Sequence, residues 1–544
     1  MHQFKKILIS TLALLLVLAG CSGGDTNTGK VLRVAKDTDI RTLDTSVATD
    51  GLSFEVIEQF TDGLLDYDAA GTIIPRAAKE LPTVSDDGLT YTFTLRDDIY
   101  WYTSDGEEYA PVTAHDFVFA WRRLVDPATA SDYNYMITTA QIVNSEQVYS
   151  GDLPTTELGV EATDDKTLVV HLENAVPFFE QLMAFPAFNP LNEKFVTEKG
   201  DQYALSVENL LSNGPFIFTE WTKSSSWKLT KNEKYYDAAN VNIDGIAYTL
   251  SADYQSSALQ FDSGTIDVTK ISASLVDQYK DTEAFKQVPI GYVWYIAFNL
   301  AKVEMLENTD LRLAIAYALD RSNITDNIMK DGSLPAEYIV PVGLASLNGK
   351  DFRDGIDPFL AYNVATAKEH IEKAKAALGV DKFEFELLIE DSEESKTNAA
   401  QIKADLEEIG VTVNITSIPK SERLERMQDA TLDYELGLTR WGPDYSDPFT
   451  YLGDNFGLHK EQIIAWNNAE YNALIESVSP VGSLALQPNE RWEAMKDAEE
   501  VFLNNAIVAP VWQSGEAMLI NPKVTGIEIH VVGSTAYRNV KIAD

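Results

Sequence analysis

The most informative stretch of the sequence, residues 439–452, reads TRWGPDYSDPFTYL. It follows a strand-like segment, Tyr434–Leu438, and combines aromatic side chains with glycine, proline and two carboxylates. Gly442 permits a close approach of the backbone to another group, and Pro443 restricts the conformation of the residue before it. The pattern predicts a loop of defined shape. From these residues alone, it is either a ligand-contacting loop or a turn built around a buried aromatic anchor.

The sequence on either side of this stretch has mixed α and β periodicity. Helical spacing over residues 365–378 and 397–409 alternates with strand-like segments at 383–389 and 411–418. Such alternation is typical of sheets that are covered by helices. We therefore predict two α/β lobes, with the change from one lobe to the other near residues 285–295.

The N-terminal segment has the features of an export signal. Two lysines at positions 5 and 6 precede an apolar run over residues 7–18. This run is too short to span a bilayer, for which about 20 residues are needed. A positively charged start followed by a short apolar run predicts a signal peptide.

The single cysteine of the chain, Cys21, follows Leu18-Ala19-Gly20 directly. This segment resembles the lipobox of bacterial lipoproteins, which implies a signal peptide at residues 1–20 and Cys21 as the lipidated N-terminus. Residues 21–30 are small and polar, as expected of a flexible tether. An ordinary secretory signal with an incidental cysteine is the alternative.

The chain is strongly acidic, with a formal net charge of −41. A surface of this charge repels phosphate backbones, which argues against a nucleic-acid partner. The length of 544 residues exceeds what one core supports, at about 150 residues per domain. A single cysteine leaves no disulfide to stabilise the fold, so stability must come from packing.

No constellation of residues indicates catalysis or metal binding. The six histidines are scattered without the spacing of metal ligands, and no Gly-x-Ser-x-Gly elbow occurs. Two Ser-x-x-Lys matches, at 225–228 and 417–420, lack their companion motifs. We therefore expect no catalytic residues, no metal and no cofactor, and we predict that the protein is not an enzyme.

Three further blocks accompany the stretch at 439–452. They are TAHDFVFAWRRLVDP at 113–127, DLRLAIAYALDR at 310–321 and the weaker APVW at 509–512. In type and order, the four blocks resemble those of the oligopeptide-binding (OppA-like) lipoproteins, the family 5 solute-binding proteins of peptide ABC transporters. The resemblance covers nearly the whole chain after residue 30. It is specific for the family and less specific for the ligand.

The resemblance implies a two-lobed α/β fold of the periplasmic-binding-protein type II, with a hinge and an extra subdomain in the first lobe. Lobe I would comprise residues 31–290 with the subdomain inserted at about 63–178. Lobe II would comprise residues 291–514, and residues 515–544 would return to lobe I. Closure of the lobes on a ligand would then be a hinge motion.

The resemblance also implies which residues contact the ligand. In relatives, an extended peptide pairs with strands of both lobes, and this main-chain pairing is indifferent to the peptide sequence. The implied ligand contacts are Asp39, Ile40 and Arg41 in lobe I, the backbone of Arg440, Trp441 and Gly442 opposite, and the Asp444 carboxylate for the α-ammonium group. Tyr133 and Tyr135 lie in a region that borders the ligand in relatives, whereas Asp447 is expected to be a structural turn residue.

The implied function is that of an extracytoplasmic receptor, anchored to the cell membrane by its lipidated cysteine, that delivers oligopeptides to an ABC permease. We expect it to be a monomer. One alternative is a peptide-pheromone receptor of the same family, and another is a relative that binds haem, a nickel complex or a sugar. A secreted hydrolase would require a catalytic constellation, which the sequence lacks.

Overall fold

The strands have the following bounds in a computed structural model that describes residues 29–428, 432–457 and 466–544. In chain order they are β1 (Val31–Lys36), β2 (Leu65–Tyr67), β3 (Ile73–Pro75), β4 (Thr83–Val84), β5 (Thr90–Thr94), β6 (Tyr100–Tyr102), β7 (Glu108–Pro111), β8 (Val160–Asp164), β9 (Thr167–His171), β10 (Phe216–Thr222), β11 (Ser226–Lys231), β12 (Gly245–Leu250), β13 (Val268–Lys270), β14 (Phe285–Phe298), β15 (Leu334–Pro335), β16 (Ser346–Leu347), β17 (Lys350–Asp351), β18 (Phe383–Glu390), β19 (Val411–Ile418), β20 (Leu436–Trp441), β21 (Val508–Ile520), β22 (Val524–Thr525) and β23 (Lys541–Ile542).

The α-helices of the described residues follow the same order. They are α1 (Gly51–Phe60), α2 (Ala114–Val125), α3 (Tyr135–Thr139), α4 (Ser145–Tyr149), α5 (Phe179–Leu182), α6 (Glu193–Lys199), α7 (Tyr254–Asp262), α8 (Ala273–Tyr279), α9 (Thr309–Ala318), α10 (Val364–Leu378), α11 (Glu393–Glu408), α12 (Lys420–Gln428), α13 (Phe449–Leu452), α14 (Ala469–Val478) and α15 (Pro488–Asn504). In the part of the chain that the structure describes, none of the helices combines the length and the apolar character needed to cross a membrane.

One mixed sheet runs through both lobes. Its strand order is β10-β11-β12-β1-β13-β21-β14-β20-β18-β19, with β15 beside β21. Strands β1 and β12 are parallel, as are β18 and its neighbours β19 and β20, whereas β14 and β21 are antiparallel to each other. Each end of the sheet therefore comes from one half of the chain, and β14 and β21 join the two halves. The predicted two-lobed α/β architecture is present.

The long strands β14 and β21 connect the lobes at an interruption of their pairing. They pair from Phe285 to Pro289 and again from Val293 to Ala297, with a register shift between Pro289 and Val293. Lobe I pairs with this ribbon through β13 and β21, and lobe II pairs with it through β14 and β20. The domain boundaries expected at residues 290/291 and 514/515 fall within these two strands and stay predictions.

A separate four-stranded sheet, in the order β4-β5-β9-β8, lies within residues 83–171. Helix α2 begins beside it with a capping box, in which the Asp116 carboxylate accepts a 2.8 Å hydrogen bond from the backbone N–H of Thr113. The side chains of Phe117 and Trp121 on this helix are buried. This unit packs on lobe II, because one hydrophobic cluster contains side chains of both.

The remaining local predictions agree with the structure within a few residues. Helix α10 spans Val364–Leu378 and ends at Gly379, which adopts a left-handed conformation with φ of 68°. Strand β19 has the predicted bounds, 411–418, and α11 begins at Glu393, four residues earlier than predicted. The stretch at 439–452 is not a loop throughout, since its first residues end β20 and its last four form α13.

Candidate ligand-binding site

The turn between β20 and α13 is held in shape by hydrogen bonds across it. The indole N–H of Trp441 donates to the carbonyl of Thr450 at 3.1 Å, and the hydroxyl of Tyr451 donates to the carbonyl of Trp441 at 3.2 Å. The backbone N–H of Asp444 donates to the hydroxyl of Thr450 at 3.4 Å. The short helix α13 therefore fixes where the end of β20 points, and it sets the position of the Asp444 side chain.

Asp447 is a structural residue of this turn, as predicted from the sequence. Its carboxylate accepts two hydrogen bonds from the guanidinium of Arg491, at 2.7 and 2.9 Å, and a third from the backbone N–H of Phe449. A bidentate pair of this kind is both strong and geometrically specific. Both side chains are largely buried, so Asp447 is unavailable to a ligand.

The same turn contacts the unit that contains the four-stranded sheet. The ring of Phe178 stacks on Tyr445 with centroids 4.3 Å apart and planes 12° apart. It also stacks on Phe449 at 5.7 Å. Phe178 lies more than 260 residues before its partners, so this buried contact joins the unit to lobe II.

Asp444 is hydrogen-bonded to Tyr135, which lies on helix α3 in this same unit. The Tyr135 hydroxyl donates a 2.9 Å hydrogen bond to Oδ2 of Asp444. In the described part of the chain, no lysine, arginine or histidine lies within ion-pair distance of this carboxylate. The two carboxylates of one turn therefore differ, because Asp447 is neutralised by an arginine and Asp444 is not.

The environment of Asp444 makes its negative charge costly. Burial of the carboxyl group raises its pKa to about 6, and the hydrogen bond from Tyr135 acts in the opposite direction. The side chain nevertheless keeps part of its surface open to the cleft. A cation entering the cleft would meet an unpaired carboxylate in surroundings that exclude water, where charge-assisted hydrogen bonds are strong.

Aromatic side chains of lobe I form the wall beside Asp444. The Tyr133 ring stacks on Phe185 at 5.2 Å and meets the edge of Phe54 at 5.3 Å. Tyr135 lies 5.7 Å from Tyr133. The structure thus brings both tyrosines named from the sequence to the cleft, together with two phenylalanines that the sequence did not single out.

These groups border a cavity of about 670 Å³ between the lobes, which we call the Asp444 cavity. Its volume lies within the range of ligand pockets, about 300–1,000 Å³. Besides Tyr133 and Tyr135, four of the seven implied ligand contacts border this cavity. They are Arg440, Trp441, Gly442 and Asp444.

The strand that carries Arg440 and Trp441 has a free backbone edge. On one side β20 pairs with β14 along its whole length, up to Trp441. On the other side it pairs with β18 only at Leu436 and Gly437. The backbone after Leu438 therefore has no partner strand on this side, and an extended segment can add to such an edge.

Three cationic side chains border the same cavity as Asp444. Arg423 is buried and lies 3.5 Å from Glu390, while Lys420 and Arg440 have no carboxylate within 4 Å among the described residues. Desolvation lowers the pKa of Lys420, and the nearby charge of Arg440 lowers it further, whereas Glu390 acts in the opposite direction. We call Lys420, Arg423 and Arg440 the cation cluster, and it borders the same cavity as Asp444.

The predicted lobe I residues lie outside the border of the Asp444 cavity. They follow β1 in a segment without sheet pairing. The Asp39 carboxylate accepts 2.9 Å hydrogen bonds from the backbone N–H and hydroxyl of Ser224, and Ile40 is buried. Arg41 is exposed and close enough to Lys420 to lower the pKa of that lysine. Their role as ligand contacts stays a prediction.

Several residues of the cavity gave no signal in the sequence. Phe54, Phe185, Tyr292, Lys420 and Arg423 come from several distant segments of the chain, and the sequence analysis assigned none of them to the ligand. Only the folded chain brings them together. Cys21 and His459 lie outside the described residues. Within those residues, no group of three or more His, Cys, Asp or Glu side chains is placed to hold a metal ion.

Comparisons with known proteins agree with this architecture. Residues 72–460 match the family described as bacterial extracellular solute-binding proteins, family 5 Middle. A dipeptide-binding protein of Lactococcus lactis subsp. cremoris is 30% identical over 557 residues, with 98% of each chain covered. The chain belongs to the family 5 extracellular solute-binding proteins, which are extracytoplasmic binding receptors and not enzymes.

Solved structures confirm the fold. The substrate-binding domain of an oligopeptide ABC transporter from Bacillus anthracis superposes with a TM-score of 0.77 at 36% identity, covering 95% of this chain and 99% of that one. OppA of Listeria monocytogenes bound to peptide gives a TM-score of 0.76 at 31% identity, with 95% and 100% covered. The predicted two-lobed type II fold is therefore confirmed over nearly the whole chain.

Proposed function

We propose that this protein captures oligopeptides between its two lobes and delivers them to an ABC importer. The observation that carries the proposal is the unpaired Asp444 carboxylate, which faces the Asp444 cavity and accepts a hydrogen bond from Tyr135. The α-ammonium group of a peptide is a cation that fits this position. Similar proteins are named as dipeptide- or oligopeptide-binding, which supports the same ligand class.

The free edge of β20 supports binding through the peptide backbone. Beyond Leu438, this strand has no partner strand on one side, so an extended peptide can pair with its backbone. Such hydrogen bonds form whatever the peptide side chains are. The Asp444 carboxylate then fixes the register and direction of the peptide, because only the N-terminal residue carries the α-ammonium group.

The cation cluster is suited to the opposite end of the peptide. Lys420 and Arg440 lack a carboxylate partner among the described residues, in a protein whose net charge is −41. The α-carboxylate of a short peptide, or an acidic side chain of a longer one, would satisfy them. The cavity is therefore bordered by a carboxylate and by cations, which suit the two oppositely charged ends of a peptide.

Two measurements test this function. Native mass spectrometry of the protein purified from its host should find free peptides, and co-purified haem, nickel complex or sugar would overturn the proposal. Calorimetry should then compare the affinity for one peptide with a free N-terminus with that for the same peptide after N-acetylation. We expect at least about tenfold weaker binding of the acetylated peptide, since a charge-assisted hydrogen bond is worth about 1.5–3 kcal/mol.

We further propose that Cys21 carries the lipid that anchors the receptor to the cell membrane, where it meets its permease as a monomer. The support is the sequence around Cys21, which lies outside the described residues. Cells fed with labelled palmitate should label the wild type and a Ser22→Ala control but not Cys21→Ser. Labelled Cys21→Ser protein would contradict the anchor, and light scattering of the soluble part measures the oligomeric state.

A further inference from the structure

The cleft contains three adjoining cavities, and Tyr292 contacts all of them. Besides the Asp444 cavity, one of about 840 Å³ borders Trp294 and Glu516, and we call it the Trp294 cavity. A third, of about 250 Å³, lies beside Lys36. Among the described residues that border these cavities, Tyr292 is the one common to all three. Its ring therefore stands where the cavities meet.

The Asp444 and Trp294 cavities are separated by Tyr292 and Arg440, the two described residues that border both. The Arg440 guanidinium lies 4.8 Å from the centre of the Tyr292 ring and 5.0 Å from that of Trp294. Cation–π contacts of this length are attractive. A stacked pair of side chains thus forms the partition between the two cavities.

The Tyr292 ring can occupy its position because Gly442 has no side chain. A Cβ atom at that position would lie 2.3 Å from the Tyr292 ring, so the ring packs directly on the Gly442 backbone. The Tyr292 hydroxyl makes no hydrogen bond with the described residues, and the side chain is 40% exposed. The Tyr292 ring is therefore held by packing against its faces, and no hydrogen bond with the described residues fixes its hydroxyl.

The backbone beneath the ring is fixed more firmly than the ring itself. Tyr292 lies in the interruption between Pro289 and Val293, where β14 does not pair with β21. The carbonyl of the preceding Gly291 accepts a hydrogen bond from the buried Tyr451 hydroxyl. Side-chain rotation about a fixed backbone is fast for partly exposed residues. Turning this one side chain would open the Asp444 cavity to the Trp294 cavity.

We propose that Tyr292 sets the length of peptide that the cleft accepts. This inference rests on the proposed function, because it takes Asp444 as the anchor of the peptide N-terminus. With the ring on Gly442, a bound chain is kept out of the Trp294 cavity and, on this side, is limited to the Asp444 cavity of about 670 Å³. Without the ring, the chain can continue past Arg440 into the Trp294 cavity of about 840 Å³.

The test is a series of alanine peptides with free termini, from two to eight residues long, measured by calorimetry. For the wild type, we expect affinity to decrease once the peptide exceeds the Asp444 cavity. For Tyr292→Ala, we expect the decrease to begin at least one residue later. The affinity for the longest peptides should rise by about tenfold relative to the wild type.

Two further variants make the result interpretable. Tyr292→Phe keeps the ring and removes only the hydroxyl, so it should keep the wild-type length profile. Tyr292→Leu keeps apolar bulk while shortening the side chain. It should shift the profile part of the way, and it replaces the alanine variant if that protein does not fold.

An unchanged length profile in Tyr292→Ala and Tyr292→Leu would overturn the inference. Equal wild-type affinity for all lengths would also overturn it. If free and N-acetylated peptides bind equally, or no peptide binds, the proposed function fails and the inference fails with it. If free peptides bind through Asp444 but the dependence of affinity on peptide length is the same in the Tyr292 variants as in the wild type, only the inference fails.

Discussion

The Tyr135 hydroxyl donates a 2.9 Å hydrogen bond to the Asp444 carboxylate, although 309 residues separate the two in the chain. One partner belongs to helix α3, in the unit that contains the four-stranded sheet, and the other to the turn after β20, so the bond joins this unit to lobe II. Asp444 thereby takes part both in this contact and in the proposed capture of an ammonium group. The contact and the capture would therefore depend on the same carboxylate.

Peptide affinity should depend on pH with a midpoint set by Asp444. Burial raises the pKa of this carboxyl to about 6, so the unliganded site is protonated below that pH and cannot pair with an ammonium group. Affinity for a peptide with a free N-terminus should rise as pH increases through about 6. It should decrease again above about 8, where the ammonium group itself loses its proton.

Calorimetry from pH 4.5 to 9 measures this profile, with the N-acetylated peptide as control. The acetylated peptide has no titrating ammonium group, so the decrease above about 8 should vanish. A flat profile for the free peptide between pH 5 and 7 would contradict the assignment of Asp444.

Tyr135→Phe should move the acidic midpoint of binding to higher pH. The hydrogen bond from Tyr135 lowers the pKa of Asp444, so its loss leaves the effect of burial unopposed. Affinity at pH 6 should therefore decrease more than affinity at pH 7.5. Tyr133→Phe is the matched control, because Tyr133 makes no hydrogen bond to Asp444, and its midpoint should stay that of the wild type. A midpoint that moves downward in Tyr135→Phe would refute this reasoning.

The two carboxylates of the turn should respond oppositely to amidation. Asp444→Asn should weaken binding of free peptides by about tenfold or more and leave the unliganded protein at least as stable at pH 7, since it removes a desolvated charge. Asp447→Asn should reduce the free energy of unfolding by about 3–5 kcal/mol, because the buried Arg491 loses its partner. Folded Asp447→Asn protein should bind peptide normally.

Urea denaturation and calorimetry on both variants separate these effects. Weakened stability in Asp444→Asn together with unchanged binding would reverse the two roles. Wild-type stability in Asp447→Asn would show that the bidentate pair with Arg491 is not required.

Glu58→Gln should flatten the pH dependence of stability. Burial, with the nearby charge of Asp66, raises the pKa of Glu58 to about 8. A carboxyl with a raised folded-state pKa contributes stability that is fully present below its unfolded pKa and is lost as pH rises through about 8. The wild type should therefore lose up to about 1.4 kcal/mol per pH unit in this window from Glu58 alone.

Thermal or urea unfolding between pH 4.5 and 8.5 measures this slope. Glu283→Gln, a change at an exposed glutamate, is the control and should keep the wild-type slope. Parallel curves for wild type and Glu58→Gln would show that Glu58 does not titrate in this range.

Short-range signals predicted the local elements well. The helical spacing of α10 and the strand pattern of β19 depend on residues within a few positions of one another. Propensity and periodicity therefore determine them. The prediction was less complete at 439–452, where the aromatic residues that marked a loop instead end a strand and begin a helix.

The sequence alone determined the class of fold, the family and the turn that carries two carboxylates, because each depends on patterns among residues that are close together in the chain. It did not determine which carboxylate is neutralised. That depends on Arg491 for Asp447 and on Tyr135 for Asp444, and those partners lie 44 and 309 residues away. The Tyr292 partition likewise requires a ring, a glycine and an arginine from two paired strands. Local conformational preference cannot specify these contacts, because they form only when distant segments of the chain pack together in the folded protein.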